Sequence, residues 1–269
     1  MKNQCTHLFV AALAGLFAIA SAHGALIYEQ NFNTLDDGNL NGQAGFTVAS
    51  TNQTYTVASG GLSYAGGDVS HGGSGKQLNI VGGNSEIPTY VNFTEQTGDL
   101  YFSFLFRSTG TGTFLWVAAS DDGDFNNSGG AIAGWLPADG GRNAVLGRLR
   151  DGSDQTNSLT AGPWDHDETY MVVGRLSKSD PVGNYNQFSV LLNPTSLTEP
   201  ATWTDVTRDI GVSAVDTLVF RVGGSTSFAY SVDDFRVGTT YDAVVIPEPG
   251  TLLLLGIALG AMLLFRRRK

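Results

Sequence analysis

Cysteine is almost absent from this chain of 269 residues. The single one, Cys5, lies in the first 22 residues, ahead of an apolar run, and is lost if that segment is removed. A chain without cysteine forms no disulfide, offers no thiol nucleophile and builds no thiolate metal site. The composition therefore excludes these three kinds of chemistry from the mature protein.

Basic residues are also scarce: 15 Lys and Arg stand against 25 Asp and Glu, for a net charge of −10. Five of the 15 lie at the two ends, as Lys2 and as the run Arg266, Arg267, Arg268 and Lys269. The stretch between them has ten basic residues against 25 acidic ones, a net charge of −15. Because a nucleic-acid-binding protein needs a basic face that displaces counterions from phosphate, this balance excludes nucleic acid as a partner.

The first 22 residues are arranged as a secretory signal peptide. Lys2 precedes an apolar run over residues 8–20, and Ala20-Ser21-Ala22 places small residues where a signal peptidase cuts. The run is 13 residues long, shorter than the roughly 20 that span a bilayer. We predict export with cleavage after Ala22; cleavage after Gly24 and an uncleaved anchor are the alternatives.

The C-terminus combines a helix breaker, an apolar helix and a cationic end. Pro247-Glu248-Pro249 precedes an apolar run over residues 251–265, and Arg266, Arg267, Arg268 and Lys269 close the chain. As a helix, residues 251–265 extend about 22 Å, short for a permanent transmembrane span. The basic cluster stays on the cytoplasmic side and acts as a membrane stop, which places the body outside the inner membrane.

This three-part order resembles the PEP-CTERM sorting domain of Gram-negative bacteria. One residue departs from the usual pattern, because Gly250 follows the second proline where Ser, Thr or Ala is usual. The resemblance implies that an exosortase recognises Pro247, Glu248 and Pro249 and cuts the tail nearby. It also implies a transient inner-membrane anchor and then a place at the cell surface or in the extracellular matrix. A generic C-terminal anchor is the alternative.

The body between the two ends is predicted to be one all-β domain. Eleven to fourteen short strands alternate with glycine-rich turns, and helical periodicity is nearly absent. Residues 100–107 alternate most clearly, and residues 114–119 are predicted to be their hairpin partner. This pattern predicts a two-sheet sandwich. We assign residues 1–22 to the signal peptide, 23–243 to the sandwich and 244–269 to the sorting signal.

The body also resembles concanavalin A-like, or laminin-G-like, jelly rolls. The similarity lies in residues 28–32 with 38–43, in 169–176, in 190–194 and in 230–238. It implies that the last strand returns beside the first. In jelly-roll carbohydrate-binding modules, acids of these two strands often share a structural Ca²⁺, which makes Glu29, Asp233 and Asp234 candidate ligands. The alternative is that one aspartate faces solvent while its neighbour bonds a loop backbone.

A second calcium candidate, Asp122-Gly123-Asp124-Phe125-Asn126, is more simply a solvated loop, because Asn127 and Ala133 replace EF-hand residues.

Tryptophan provides the candidate glycan contacts, because aromatic faces stack on sugar rings. Trp135 and Trp203 lie in polar surroundings and are predicted to stack on extracellular polysaccharide, whereas Trp116 lies within a strand and is predicted to be core.

Candidates for catalysis are few. His71 lies in a glycine-rich loop without the setting of a nucleophile elbow, and His166 reads as part of an exposed turn.

These observations predict an exported, non-enzymatic surface or matrix protein with a structural or glycan-binding role. Its expected partners are signal peptidase, exosortase, the inner membrane and extracellular polysaccharide. The alternative is a secreted polysaccharide-active enzyme, a glycoside hydrolase or a lyase, on the same fold.

Overall fold

The computed structural model describes ten stretches of the chain. They are residues 25–49, 53–73, 75–82, 89–109, 114–121, 131–138, 142–151, 154–159, 164–223 and 229–246. Within them lie 18 β-strands and one short helix. The predicted signal peptide, sorting motif and membrane helix lie outside these stretches. No helix in the stretches is long and apolar enough to cross a membrane.

Nine strands, numbered along the chain, form the first sheet. Eight of them follow one another as β16 (Thr204–Thr207), β15 (Gln187–Leu192), β14 (Tyr170–Ser177), β9 (Leu100–Ser108), β18 (Ala229–Gly238), β7 (Lys76–Val81), β4 (Thr54–Ser59) and β2 (Gly38–Asn39). The ninth, β1 (Leu26–Gln30), pairs antiparallel with the second half of β18. The first and last strands are therefore neighbours, as the jelly-roll resemblance implies.

Seven strands form the second sheet, and a hairpin and a helix complete the fold. The order in the sheet is β13 (Asp154–Leu159), β12 (Arg142–Asp151), β11 (Ala131–Ala138), β10 (Phe114–Ser120), β17 (Val215–Gly223), β8 (Thr89–Gln96) and β3 (Thr47–Val48). The hairpin joins β5 (Ser63–Gly66) to β6 (Val69–Gly72), and the helix is α1 (Tyr241–Val245). The predicted all-β, two-sheet class is confirmed.

The main hydrophobic core lies between the two sheets. Phe235 of β18 is at its centre, because its ring lies 5.4 Å from that of Phe104, 6.0 Å from that of Phe32 and 4.5 Å from that of Phe220. Phe220 belongs to the second sheet, so these aromatic contacts join the two layers. Edge-to-face and offset ring pairs of this kind add stability beyond the burial of their area.

A second apolar cluster covers the outer face of the first sheet. Leu62, Tyr64 and Val69, from the hairpin and the residue before it, pack there with Tyr241, Val244 and Val245 of α1 onto Tyr101, Leu105, Met171 and Val173. Strand β9 is therefore buried on both faces: Phe102, Phe104 and Phe106 face the main core, while Tyr101 and Leu105 face this cluster. Alternate side chains of β9 therefore point into two apolar layers, rather than one set into the core and the other toward solvent.

The predicted hairpin between residues 100–107 and 114–119 is wrong. Strand β9 pairs with β14 and β18, whereas β10 pairs with β11 and β17 in the other sheet. Both strands carry apolar residues into the main core from opposite sides, so the chain crosses between the sheets instead of turning back. Trp116 is buried as predicted, although it packs with Ala118 and Val219 outside the main core.

Candidate functional site

The site lies where β18 changes its pairing partner. Its first half pairs with β7 up to Val232, its second half pairs with β1 from Phe235, and the register against β9 shifts between Asp233 and Arg236. Asp234 has a φ of +50°, a conformation that Asp tolerates better than most residues and that accompanies irregular strands. This irregularity places two consecutive aspartates, Asp233 and Asp234, at one point of the sheet.

Four ionisable side chains form a continuous chain of contacts at this point. Glu29 lies opposite Arg236 in the register, and its Oε1 accepts a hydrogen bond of 2.7 Å from Arg236 Nη2. Arg236 Nε lies 3.2 Å from Asp234 Oδ1, and His71 Nδ1 lies 2.7 Å from Asp234 Oδ2. His71, Asp234 and Arg236 are buried. The site is thus an ion-pair network that joins β1, β6 and β18.

The two aspartates of this network differ in their tendency to ionise. Burial opposes the charge on Asp234, but its hydrogen bonds and Coulomb interactions with His71 and Arg236 hold its pKa below the ordinary value. For Asp233, burial raises the pKa to about 7, against the hydrogen bonds that it accepts from the N–H groups of Asp234 and Leu62. Two adjacent carboxyl groups therefore carry different charge near neutral pH.

The site also holds the chain that follows α1. His71 Nε2 lies 2.6 Å from the carbonyl oxygen of Val245, and Arg236 Nη1 donates to the carbonyl oxygen of Ile246 at 2.8 Å. Ser103 Oγ donates to the carbonyl oxygen of Val244 at 2.7 Å. We call Ser103, His71 and Arg236 the carbonyl clamp. It binds three consecutive peptide groups that end at Ile246.

A polar cavity of about 340 Å³ opens beside this network. Asn31, Asn33 and Ser70 line it together with His71 and both aspartates. Amide, hydroxyl, imidazole and carboxyl groups offer both donors and acceptors to a small polar ligand.

The three predicted calcium ligands lie on the paired strands β1 and β18. Glu29 and Asp234 both contact Arg236, and Asp233 contacts backbone N–H groups. No group of three or more His, Cys, Asp or Glu is placed to hold a metal ion in the part of the chain that the structure describes. Calcium stays a prediction. The alternative prediction had two parts. A solvent-facing aspartate is wrong, because Asp233 and Asp234 are both buried. An aspartate bonded to a loop backbone is confirmed, because Asp233 accepts a hydrogen bond from the N–H group of Leu62.

His71 and Arg236 were not among the predicted site residues. The glycine-rich setting of His71 suggested a loop, but His71 lies in β6 and its side chain is buried. For Arg236 the signal was available, because Asp234 and Arg236 are two positions apart and Glu29 belongs to the strand expected beside them.

The two predicted glycan-stacking residues are not part of β1, β6 or β18, and the ring of Trp203 packs against that of Tyr241 of α1, 5.9 Å away. Trp203 is half-buried, its indole N–H donates to Glu199 Oε1 at 3.2 Å, and the Arg175 guanidinium lies 5.1 Å from the centre of its ring. Trp135 lies in β11 and pairs with Leu115, and its side chain is outside the described part of the structure. Both assignments stay predictions.

Comparison with solved structures finds similar folds at low identity. The endo-β-1,4-glucuronan lyase of the fungus Trichoderma reesei is 13% identical with a TM-score of 0.46, over 82% of this chain and 98% of the lyase. The globular domain of T. cruzi calreticulin is 11% identical with a TM-score of 0.47, over 80% of this chain and 88% of the calreticulin domain. An alginate lyase is 14% identical with a TM-score of 0.43, over 80% of this chain and 98% of the lyase.

The C-terminal segment matches a family model. No curated protein matches this chain. Residues 245–269, however, match the model of the PEP-CTERM protein-sorting motif. The match begins at Val245, one of the residues that the carbonyl clamp holds. The chain thus carries a PEP-CTERM sorting motif, which implies export, membrane-associated sorting in a Gram-negative bacterium and an exosortase as the processing partner.

Proposed function

We propose that this protein is a cell-surface or extracellular-matrix component that an exosortase processes and that has a non-enzymatic, structural or glycan-binding role. The PEP-CTERM motif at residues 245–269 carries the sorting part of this proposal. The acidic, cysteine-free body suits a hydrated extracellular matrix.

The contacts of the charged network support the non-enzymatic part. Both ring nitrogens of His71 are engaged, one by Asp234 and one by the Val245 carbonyl. Glu29 and Asp234 are held by Arg236. A general base needs a lone pair within reach of the substrate proton. In this network the charged groups instead hold one another and the backbone, which is typical of a structural role.

Replacement of Glu248 by Ala tests the sorting part. In a Gram-negative host that contains an exosortase, we expect wild-type protein to lose its tail and the Glu248→Ala protein to keep it, as shown by size on a denaturing gel. Glu168→Ala, an exposed glutamate of the body, is the matched control and should be processed normally. Normal processing of Glu248→Ala would contradict the exosortase assignment.

Glycan binding is proposed for the surface around Trp203. The indole is half-buried, and Arg175, Tyr101 and Tyr241 occupy parts of its surroundings, so a sugar would stack on the exposed part of the ring. We expect retention of the full chain on one or more columns of a glycan panel and a weakening of about three- to tenfold in Trp203→Ala. Leu197→Ala, a change at another partly exposed apolar residue, should bind as wild type does. Equal retention of Trp203→Ala and wild type would remove Trp203 from the proposal.

A polysaccharide-active enzyme is the second candidate, and one observation favours it. Asp233, with a pKa of about 7, lines a 340 Å³ cavity beside His71. A carboxyl group with a raised pKa in a polar cavity is a common sign of an acid–base site. Incubation of the full chain with the same glycan panel, scored for new reducing ends or unsaturated products, separates the two functions. Release of sugars that Asp233→Asn abolishes would establish the enzyme and overturn the first proposal.

A further inference from the structure

The strongest feature that the proposed function leaves unexplained is the carbonyl clamp. Ser103, His71 and Arg236 come from three different strands, β9, β6 and β18, and bind the carbonyl oxygens of Val244, Val245 and Ile246 in sequence. The next residue is Pro247, the first of the sorting motif. The last of these hydrogen bonds therefore falls on the carbonyl of the Ile246–Pro247 peptide bond.

The packing of α1 reinforces these hydrogen bonds. Tyr241, Val244 and Val245 are buried against the outer face of the first sheet. The Tyr241 hydroxyl donates to the carbonyl oxygen of Ser196 at 3.1 Å. Release of this segment would expose apolar side chains and leave the three clamp donors without their acceptors, so the docked form is strongly favoured.

The chemistry of the acceptors defines what His71 contributes. A carbonyl oxygen only accepts hydrogen bonds, so His71 Nε2 carries a proton toward Val245. On the other side of the ring, Nδ1 lies 2.7 Å from Asp234 Oδ2, which fixes the orientation of the imidazole. The Arg236 guanidinium adds a charge-assisted hydrogen bond to the Ile246 carbonyl oxygen, and such a bond is stronger than a neutral one.

We propose that the carbonyl clamp restrains processing of the sorting motif by holding the residues ahead of it against the folded body. This proposal rests on processing by an exosortase, the proposed function above. An enzyme that cuts a peptide has to bind the chain on both sides of the cut bond. Cleavage of a folded segment follows the population of its open form when opening is fast. The rate of tail removal therefore rises when α1 and Ile246 undock more often.

Two substitutions of His71 separate the clamp from the rest of the network. In His71→Asn the amide nitrogen replaces Nδ1, keeps the contact with Asp234 and loses that with Val245. In His71→Gln the amide nitrogen replaces Nε2, keeps the Val245 contact and loses that with Asp234, so it should loosen the segment less than His71→Asn does. Ser103→Ala removes the bond to Val244 and is paired with Ser189→Ala, a buried hydroxyl of the same sheet that bonds Arg175.

Hydrogen exchange of the full chain in mild detergent measures docking directly. The Ile246 amide donates to the carbonyl oxygen of Asp242 at 3.0 Å, so its exchange reports the opening of α1. We expect exchange of this amide to rise about fivefold in Ser103→Ala and about tenfold in His71→Asn, to rise less in His71→Gln, and to stay close to wild type in Ser189→Ala. Unchanged exchange in both clamp variants would show that the clamp does not hold the segment, and would overturn the proposal.

Pulse-chase labelling in an exosortase-containing host measures the consequence. Tail removal should be faster in Ser103→Ala and His71→Asn by the same factors as exchange, and unchanged in Ser189→Ala. Faster exchange with unchanged or slower processing would overturn the proposal while leaving the sorting function intact. A wild-type protein that is never processed would instead refute the proposed function, and the restraint with it, whatever the exchange data show.

Discussion

Asp233 makes the stability of this protein depend on pH in a direction opposite to that of most acidic residues. It is 4% exposed, and burial raises its pKa from 3.8 to about 7. The folded state therefore binds the Asp233 proton more tightly than the unfolded state does. This contribution to stability is fully present below pH 3.8 and is lost as the pH rises through about 7.

The size of the effect follows from the shift. One pKa unit corresponds to about 1.4 kcal/mol, so the protonated carboxyl is favoured by about 4 kcal/mol in total. Between pH 8 and pH 5, linkage predicts a gain of about 3 kcal/mol in the free energy of unfolding. The lowered pKa of Asp234 acts in the opposite sense, but its contribution is lost only on acidification below pH 4.

Denaturant unfolding of the full chain at pH 5 and pH 8, for wild type and Asp233→Asn, tests this reasoning. The amide does not titrate, so the variant should lack the gain of about 3 kcal/mol. Its nitrogen faces one of the two backbone donors, which costs about 1–3 kcal/mol at either pH. The informative quantity is therefore the change with pH, not the offset. Asp36→Asn, at an exposed aspartate, should behave as wild type does. The same pH dependence in Asp233→Asn and wild type would refute the assignment of the raised pKa to Asp233.

Two further predictions concern the packing that supports the site. Gly72→Ala should lower the free energy of unfolding by about 1–3 kcal/mol in denaturant titrations, because φ is +70° and a Cβ would lie 2.0 Å from the Leu62 carbonyl oxygen. Gly98→Ala, where a Cβ meets nothing within 4 Å, is the control. Equal effects of the two substitutions would contradict the steric argument. Phe235→Ala should lower the free energy of unfolding by about 3–5 kcal/mol in the same measurement, since it empties the centre of the aromatic core. Val182→Ala, at a side chain that is 90% exposed, is the control and should be nearly neutral. A loss below about 1 kcal/mol in Phe235→Ala would show that the core collapses around the gap.

Strand positions were predictable where the signal is local. Alternation predicts a strand over residues 100–107, the jelly-roll resemblance implies one over 230–238, and β9 and β18 cover them. Strands β2 and β3 have two residues each and leave no periodicity to detect. Pairing was harder: the predicted hairpin partner of β9 lies in the opposite sheet, because two apolar strands that are adjacent in sequence can face one core from either side.

The site was predictable only in its acidic half. Glu29, Asp233 and Asp234 were placed together because the resemblance implied that the first strand lies beside the last, and β1 does pair with β18. Whether a metal or an arginine balances these carboxylates depends on the register, which sets Arg236 opposite Glu29. His71 reaches Asp234 from 163 positions away, a separation over which no sequence pattern indicates contact.

The amino-acid sequence alone determined the all-β class and the PEP-CTERM motif, because strand alternation, turn residues and a short motif are local properties. The tertiary structure decided which side chains balance Glu29 and Asp234, why adjacent aspartates differ in pKa, and where the carbonyls ahead of the motif are bound. These depend on register and on contacts between distant strands. Ser103 lies 141 positions from Val244, and only the packing of α1 on the first sheet brings the two together.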